Sequence, residues 1–368
     1  MRTLVTGGAG FIGSHLVRRL RELGDEVVVV DSLDEQVHGS IPELPDGVRF
    51  IHADVGDPEA IDDALAGIDR VVHLAAVVGV GQSMYEIDRY VRRNTQATAT
   101  FLERLVAAKR APERLVVASS MSIYGEGEYR CDEHGLVAPR PRPEEQLLSR
   151  EWECLCPRCR RVLTPTCTRE EKRLLPTSVY AVTKRDHEEL CLVVGAAYGI
   201  PTVALRFFNV YGPGQALSNP YTGVAAIFAS RLLNGNAPLI FEDGNQSRDL
   251  IHVSDIVSGI ALALESDEAV GEAINLGTGR ATSVRGIADI LAAGLGVDIE
   301  PKIISQYRAG DIRHCYADVS LARELLGFEA EIGLEDGMRD LVRWLGEQTA
   351  EDRVEAAAGE LSARGLAR

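Results

Sequence analysis

The chain has 368 residues, of which 45% are hydrophobic, and carries a formal net charge of −16. This length and apolar content predict one large domain with a substantial subdomain, or two domains. The acidic balance argues against nucleic acid as a partner, since that requires a basic face, and no apolar run approaches the ~20 residues of a membrane span. The glycine-rich start directly follows Met1, so we expect no signal peptide and a cytoplasmic location.

Residues 3–130 alternate short apolar runs with amphipathic stretches. Such runs are typical of buried parallel strands, and the stretches between them are typical of helices. The alternation predicts an α/β fold with a doubly wound parallel sheet. The predicted strands are Leu4–Thr6, Val27–Val30, Arg49–Ile51, Val71–Leu74, Leu115–Ala118 and Thr202–Arg206, and the predicted helices are Phe11–Leu23, Glu59–Ala66, Tyr90–Lys109 and Tyr180–Tyr198.

A glycine motif, Gly7-x-x-Gly10-x-x-Gly13, follows the first predicted strand and opens the first predicted helix. Glycine permits the tight turn and lets backbone N–H groups approach a pyrophosphate. Asp31 ends the second strand, where a carboxylate accepts hydrogen bonds from a ribose and repels a 2′-phosphate. The motif therefore predicts NAD rather than NADP. Other residues expected to contribute to this site are Phe11, Ile12, Asp54, Val55, Leu74, Ala75 and Ala76.

Tyr180 and Lys184 lie four residues apart on a predicted helix and so share one face. A fixed ammonium lowers the pKa of a nearby phenol, which is otherwise a poor base at neutral pH. Ser120 ends a predicted strand and can hydrogen-bond both the phenol and a substrate oxygen. The three residues predict transfer of a hydride and a proton together, and the alternative for the pair is a chance match on a solvated helix face.

With these motifs the sequence resembles the extended short-chain dehydrogenase/reductases that act on nucleotide sugars, from about Thr3 to Trp344. The resemblance implies that Ser120, Tyr180 and Lys184 are catalytic and that Asn94 supports the active-site region and the cofactor. It also implies a homodimer joined by the helices at 90–109 and 180–197. The motifs that resemble the substrate side of the family are Arg206–Gly214, Arg248–Asp255 and Arg308–Asp311.

The charges of those motifs agree with a nucleoside diphosphate as ligand. Arg248 and Arg308 can clamp its two phosphates with directed donors, although each arginine has a surface salt bridge as its alternative role. Asn209 can donate to a phosphate or sugar oxygen. Asp311 can accept from a ribose hydroxyl or position Arg308.

The residues after Ser120 favour epimerisation at C4. Nucleotide-sugar dehydratases place an acid pair there, whereas this chain has Met121 and Ser122, and Ser122 suits a small polar lining in which a keto sugar turns. The segments Pro220–Gly223, Glu242–Gly244 and Gly310–Cys315, with the cysteine-bearing insertion, resemble bacterial 4-epimerases of dTDP-6-deoxy sugars. The resemblance implies a dTDP-6-deoxyhexose such as dTDP-L-rhamnose as substrate, with a UDP-hexose or UDP-hexuronate as the alternative. The rival enzymes are a keto-sugar reductase and a dehydratase. A cofactor-sensing binding protein is the non-enzyme rival, and it would be expected to lose Tyr180 or Lys184.

The domain organisation follows from these motifs. Residues 1–205 are predicted to form a Rossmann-type NAD-binding domain, interrupted by an insertion at 126–176. Residues 206–346 are predicted to form a smaller substrate-binding lobe that returns some strand and helix to the first domain. Residues 347–368 are expected to be a surface helix or a frayed tail.

Four cysteines cluster in the insertion, and they are candidate ligands for a structural zinc ion. Their spacing is irregular, because zinc ribbons usually offer two separated Cys-x2-Cys pairs. Free thiols or a labile disulfide are therefore the alternative. The four are Cys154, Cys156, Cys159 and Cys167.

Overall fold

The computed structural model describes residues 1–38, 43–221, 223–348 and 352–368. Its strands are β1 (Arg2–Thr6), β2 (Glu26–Asp31), β3 (Arg49–His52), β4 (Arg70–His73), β5 (Arg114–Ser120), β6 (Glu128–Cys131), β7 (Gly135–Val137), β8 (Thr164–Thr166), β9 (Thr202–Phe207), β10 (Asn209–Tyr211), β11 (Leu239–Ile240), β12 (Ser247–Arg248), β13 (Leu250–His252), β14 (Ala273–Leu276), β15 (Thr282–Ser283), β16 (Lys302–Ile303) and β17 (His314–Cys315).

Its helices are α1 (Phe11–Glu22), α2 (Pro58–Ala64), α3 (Val80–Ser83), α4 (Ile87–Tyr90), α5 (Ala97–Ala107), α6 (Glu144–Leu148), α7 (Val179–Tyr198), α8 (Val224–Leu233), α9 (Val253–Glu265), α10 (Val284–Leu295), α11 (Ser320–Leu326), α12 (Leu334–Leu345) and α13 (Val354–Ala363). A π-helical turn, Val91–Gln96, joins α4 to α5, and a 3₁₀ turn, Met121–Tyr124, follows β5. None of these helices is long and apolar enough to cross a membrane.

One parallel sheet of seven strands organises the molecule, in the order β14-β9-β5-β4-β1-β2-β3. The six strands predicted from the sequence all belong to it, and β14 adds a seventh. The strand order reverses between β1 and β4, and such a reversal opens a crevice at the carboxyl ends of the strands. The expectation of a doubly wound α/β sheet is confirmed.

Alternate strand residues point to opposite faces of the sheet, and helices cover both faces, so the two sets of side chains are buried. On one face Val5 and Val29 pack with Leu16 of α1 and with residues of α9. On the other face Leu4 and Val28 pack with residues of α2, α5 and α7. Helices on both faces of a parallel sheet give the Rossmann-type architecture.

Two smaller assemblies flank the main sheet. Helices α8, α10 and α12 share an apolar core that includes Phe228, Ile287 and Leu341. The insertion folds as a three-stranded antiparallel sheet in the order β7-β6-β8. The bounds of the NAD-binding domain and substrate lobe remain predictions, and residues 349–351 of the predicted tail lie outside the described residues.

Candidate functional site

A cavity of about 420 Å³ lies at the carboxyl edge of the main sheet, where β1, β2, β4, β5 and β9 end, and we call it the sheet-edge cavity. Strands that run parallel bring their following loops to one edge, so segments far apart in sequence meet there. The residues predicted from the sequence that line it are Gly7, Gly10, Phe11, Ile12, Gly13, Asp31, Asp54, Val55, Leu74, Ala75, Ala76, Ser120, Ser122, Tyr180, Lys184 and Asn209.

The glycine turn is too tight for side chains at two of its positions. Gly7 has φ +69°, in the left-handed region. A Cβ on Gly13 would lie 2.2 Å from the Gly7 carbonyl oxygen. The first turn of α1 leaves backbone N–H groups without intrahelical partners at this point, so the turn offers a cradle of the size and polarity that a pyrophosphate requires.

Asp31 ends β2 beside this turn and is buried. Its carboxylate accepts hydrogen bonds from the backbone N–H of Ala9 at 3.0 Å and of Leu33 at 2.9 Å, and His38 Nε2 lies 3.5 Å away. Burial would raise the pKa of Asp31, but these partners, His38 foremost, outweigh it and leave the pKa below its usual value. The carboxylate is therefore ionised at neutral pH and lines the cavity as an acceptor.

Ser120 and Tyr180 meet at the opposite side of the sheet-edge cavity, from the end of β5 and the first turn of α7. Ser178 begins that helix, because its side chain caps the backbone N–H of Ala181 at 3.1 Å. Burial raises the pKa of Tyr180 to about 12, although a hydrogen bond with Ser120 opposes the rise. The phenol is thus protonated at rest and needs added positive charge before it can act as a base.

Lys184 lies one helical turn after Tyr180 and is buried. Its ammonium donates to the carbonyl oxygen of Ala118 on β5 and lies 3.3 Å from His187 Nδ1. Burial lowers the pKa of Lys184 to about 8. The Ala118 carbonyl holds the Lys184 ammonium at the cavity wall. Because its pKa stays above 7, the ammonium remains largely charged at pH 7.

Asn94 was expected to contribute to the cofactor site. It is not among the described residues that line the sheet-edge cavity. Its side-chain oxygen accepts from the backbone N–H of Val77 at 2.8 Å, and its nitrogen donates to the Val77 carbonyl and to the Thr183 hydroxyl. The buried amide therefore ties the loop after β4 to α7, so Asn94 holds Tyr180 and Lys184 in position from behind.

A second cavity, of about 250 Å³, adjoins the first, and we call it the arginine cavity. The two share the lining residues Val80, Asn209, Tyr221 and Gly223. The other predicted substrate residues, Arg248, Arg308 and Asp311, line the arginine cavity. Every predicted substrate residue therefore lines one or both of these adjoining cavities.

The two arginines of this cavity have different partners. Arg248 donates to three backbone carbonyls, those of Ser247, Ile312 and Arg313, at 2.8–3.0 Å. Arg308 pairs with Asp311 at 2.8 Å and stacks on the Phe241 ring. The Asp311 carboxylate is therefore placed to position Arg308, which is one of the two roles expected for it. Backbone carbonyls orient Arg248.

Unpaired acceptors mark the same region. Asn209 Oδ1 and Gln246 Oε1 are buried and make no hydrogen bond within the described residues. Buried polar atoms are nearly always paired in folded proteins. Asn209 lies where the two cavities meet and Gln246 lines the arginine cavity, so both are placed to bind a polar ligand.

The C-terminal segment forms a wall of the arginine cavity that the sequence did not reveal. Leu361 of α13 and Leu366 line it. The backbone of Ala309 donates to the Leu366 carbonyl at 2.8 Å, and Tyr307 and Arg368 exchange two backbone hydrogen bonds. The segment contains the expected surface helix, α13, most of whose residues are exposed, but its buried face lines the cavity, and an alanine-rich helix carries no signal of what it packs against.

The cysteine prediction needs correction. The ligand atoms of Cys131, His134, Cys156 and Cys159 all lie within 4.8 Å of one another. Cys154 instead directs its thiol to the Tyr129 hydroxyl at 3.4 Å. Cys167 also lies outside the cluster. The overlooked signal was Cys131-x2-His134, which has the same spacing as Cys156-x2-Cys159 and reaches the second turn through the β6–β7 hairpin.

Comparison with known proteins agrees with this geometry. The model of the NAD dependent epimerase/dehydratase family matches residues 3–145 and 154–277. A dTDP-L-rhamnose 4-epimerase from Burkholderia thailandensis is 34% identical over 352 residues, covering 94% of this chain and 95% of that protein.

Two solved structures are similar along almost the whole chain. The UDP-glucose 4-epimerase of Thermotoga maritima with UDP-glucose has a TM-score of 0.78 and 30% identity, covering 94% of this chain and 99% of that one. The UDP-glucuronic acid 4-epimerase of Bacillus cereus, in complex with UDP-glucuronic acid and NAD, has a TM-score of 0.77 and 28% identity over the same shares. The chain is a member of the NAD dependent epimerase/dehydratase family, and its relatives in that family include nucleotide-sugar epimerases.

Proposed function

We propose that this enzyme interconverts the C4 epimers of a nucleotide sugar by transient oxidation and re-reduction at one site. The observation that carries the proposal is that the two cavities adjoin and share Asn209 in their linings. A ligand that spans both would meet Ser120, Tyr180 and Lys184 at one end and Arg308 at the other. A sugar bound near the phenol would then have its diphosphate directed toward the guanidinium.

The chain's residues fit NAD as the resident cofactor. The glycine turn supplies backbone N–H groups for the pyrophosphate, and the ionised Asp31 supplies an acceptor for ribose hydroxyls while repelling a 2′-phosphate. Held by the glycine turn and Asp31, NAD would supply a reversible hydride acceptor for C4 of the sugar.

Proton movement belongs to Tyr180 and its neighbours. Ser120 hydrogen-bonds the sugar hydroxyl and the phenol, and Tyr180 removes the hydroxyl proton as C4 gives up its hydride. Because burial raises the pKa of Tyr180 to about 12, the base form depends on positive charge at the site. Lys184 contributes one fixed cation, and the same phenol returns the proton in the second half of the reaction.

The cavity lining disfavours loss of water. Met121 is buried, and the Ser122 hydroxyl donates to Ser120 Oγ at 2.9 Å. Three carboxylates line the cavity, those of Asp31, Asp34 and Asp54. Asp31 ends β2, and the other two follow β2 and β3. Those strands lie three and four places from β5, which at a strand spacing of about 4.8 Å is roughly 14–19 Å. Among the described residues, a sugar beside Ser120 thus has no acid–base pair there for dehydration.

The relative from Burkholderia thailandensis favours a dTDP-6-deoxyhexose, such as dTDP-L-rhamnose, as the substrate. UDP-hexoses and UDP-hexuronates are the alternative, on the similarity to the Thermotoga maritima and Bacillus cereus epimerases. The test is a panel of dTDP-, UDP- and GDP-sugars followed by NMR at the anomeric proton.

Isotope and cofactor measurements separate epimerisation from its rivals. Substrate deuterated at C4 should keep its label in the product, because the hydride stays within one active site. Absorbance of reduced nicotinamide should show no net change. Steady accumulation of NADH, or release of a 4-keto-6-deoxy sugar, would replace the proposal with a dehydrogenase or a dehydratase.

We also propose a homodimer that packs through α7 and the π-helical turn with α5. Val182 and Val193 are exposed on α7 and lie eleven residues apart, which puts them on one face of the helix. Val91 is exposed on the neighbouring π-helical turn. Light scattering of the wild type and of Val193→Asp tests this, and a monomeric wild type contradicts it.

A further inference from the structure

The Cys131, His134, Cys156 and Cys159 cluster has the dimensions of a tetrahedral zinc site. Cys131 Sγ lies 3.4 Å from His134 Nδ1 and 3.6 Å from Cys159 Sγ, and Cys156 Sγ lies 3.6 Å from His134 Nδ1. Tetrahedral zinc, with Zn–S of about 2.3 Å and Zn–N of about 2.0–2.1 Å, separates two sulfurs by about 3.8 Å and a sulfur from a nitrogen by about 3.6 Å. Three of the six ligand–ligand pairs stand close to these separations, and the others lie within 4.8 Å.

Two tight turns present the ligands in pairs. Cys131 ends β6 and His134 precedes β7, which pairs with β6 as a hairpin. The second turn is closed by backbone hydrogen bonds, from the Cys156 N–H to the Arg161 carbonyl at 2.8 Å and from the Arg160 N–H to the Cys156 carbonyl at 2.9 Å. Each turn therefore offers two ligands separated by two residues, as structural zinc sites do.

The apolar core of the insertion is small. Its buried apolar cluster consists of Tyr129, Cys131, Cys154, Cys156 and Leu163, and the strands around it have three or four residues each. Segments this small usually need a metal or disulfides to remain folded.

We infer that Cys131, His134, Cys156 and Cys159 bind one Zn²⁺ ion, which fixes the insertion against the arginine cavity. Four protein ligands close the coordination sphere, so the ion is structural and leaves hydride transfer to the sheet-edge cavity. Binding converts the three thiols to thiolates and releases their protons.

A buried ionic network connects the proposed metal site to the arginine cavity. Glu153, three residues before Cys156, pairs with Arg313 at 2.5 Å. Arg313 is 1% exposed and also binds Asp243 and Glu242, at 2.6 Å and 3.1 Å. Glu242 lines the arginine cavity. A buried network of this kind holds its geometry only while every charge keeps its partner.

A parallel connection runs from the insertion through Arg142. Its guanidinium donates two hydrogen bonds to the Glu242 carboxylate, at 2.8 Å and 3.0 Å, and one to the Asp311 carbonyl at 3.3 Å. Because Asp311 pairs with Arg308, the fold of the insertion positions the guanidinium proposed to bind the diphosphate.

Metal analysis of the full-length enzyme, purified without chelator, tests the inference. We expect about one zinc per chain in the wild type. Cys131→Ser and His134→Ala should lose it. Cys154→Ser and Cys167→Ser are matched controls, since their thiols lie outside the cluster, and both should keep it.

Cobalt(II) exchanged into the wild type gives a readout that does not depend on how variants fold or on epimerase activity. We expect the visible absorption of tetrahedral cobalt together with thiolate-to-cobalt charge transfer. Cys131→Ser should also raise the KM for the nucleotide sugar several-fold and leave the NAD affinity unchanged, because other segments build the sheet-edge cavity.

Two results would overturn the assignment. One is a wild type with substoichiometric zinc and no thiolate–cobalt spectrum. The other is zinc retained by Cys131→Ser and His134→Ala but lost from Cys154→Ser and Cys167→Ser. Metal content is measured without substrate, so failure here leaves the proposed epimerisation standing, and failure of that activity leaves the zinc site standing.

Discussion

The sheet-edge cavity and the arginine cavity differ in how the chain builds them. The first is formed by residues that follow the strands of one parallel sheet, so a few short motifs specify it. The second is formed by segments that belong to different small elements, from α3 and α8 to the C-terminal α13. The first is therefore determined by sheet topology and the second by packing between distant side chains.

We expect the sheet-edge cavity to carry the catalytic chemistry and the arginine cavity to select the substrate. The predicted hydride and proton chemistry needs a fixed backbone cradle and Tyr180 on a long, capped helix. Recognition of one sugar nucleotide among many needs a surface that can vary without disturbing that cradle. Variants in the sheet-edge cavity should therefore reduce kcat or cofactor binding, whereas variants in the arginine cavity should raise KM.

The largest effect is expected from Tyr180→Phe. Removing the phenol removes the proposed base, and general acid–base catalysis contributes about 10²–10⁴-fold in rate. Steady-state kcat should fall by that factor while calorimetry shows NAD binding retained. Tyr90→Phe is the matched control, because Tyr90 is a buried neighbour whose hydroxyl binds Gln82 and lies outside the proposed chemistry. Equal losses in the two variants would remove Tyr180 from the mechanism.

Asp31→Asn should have the next largest effect, on the choice of cofactor. The ionised carboxylate is proposed to accept from the ribose, and hydrogen bonds to charged groups are worth about 1.5–3 kcal/mol. NAD affinity should fall about 10–100-fold, and the preference over NADP should narrow. Calorimetry with both dinucleotides measures this, with Asp34→Asn as the control from the same cavity. An unchanged ratio would contradict the role of Asp31.

The contrast between the cavities also explains what the sequence could predict. Strand and glycine patterns are local, so they located the sheet, the Gly7–Gly13 turn and the residues at the strand ends. Of the four cysteines predicted as metal ligands, only Cys156 and Cys159 lie in the cluster. Cys131 and His134 were missed because they approach Cys156 only through a hairpin. The wall formed by the C-terminal segment was missed, since the contacts of Leu366 and Arg368 with residues 307–309 are long-range backbone hydrogen bonds. Local periodicity carries no information about either arrangement.

Arg308→Ala should weaken substrate binding with little change in kcat. The guanidinium is half-buried, pairs with Asp311 and lines the arginine cavity, where it would meet a phosphate of the proposed substrate. Loss of one charge-assisted hydrogen bond corresponds to about a tenfold rise in KM. Arg308→Lys should recover part of it, because an ammonium keeps the charge but lacks the bidentate geometry. Arg285→Ala, an exposed arginine of α10, is the control.

The smallest effect is expected from Leu361→Ala, which tests whether the C-terminal wall takes part in selection. Leu361 is 7% exposed and lines the arginine cavity. Losing the equivalent of one methylene contact with a ligand costs about 0.8 kcal/mol, so KM should rise about fourfold while kcat and NAD affinity stay constant. Leu148→Ala, on an exposed side chain of α6, gives the background effect of the same substitution. If the two variants have the same KM, α13 only covers the substrate lobe, and selection rests on Arg308 and its neighbours. If Leu361→Ala alone shifts KM, and shifts it unequally between a dTDP-deoxyhexose and a UDP-hexose, the C-terminal helix helps to decide which nucleotide sugar is accepted.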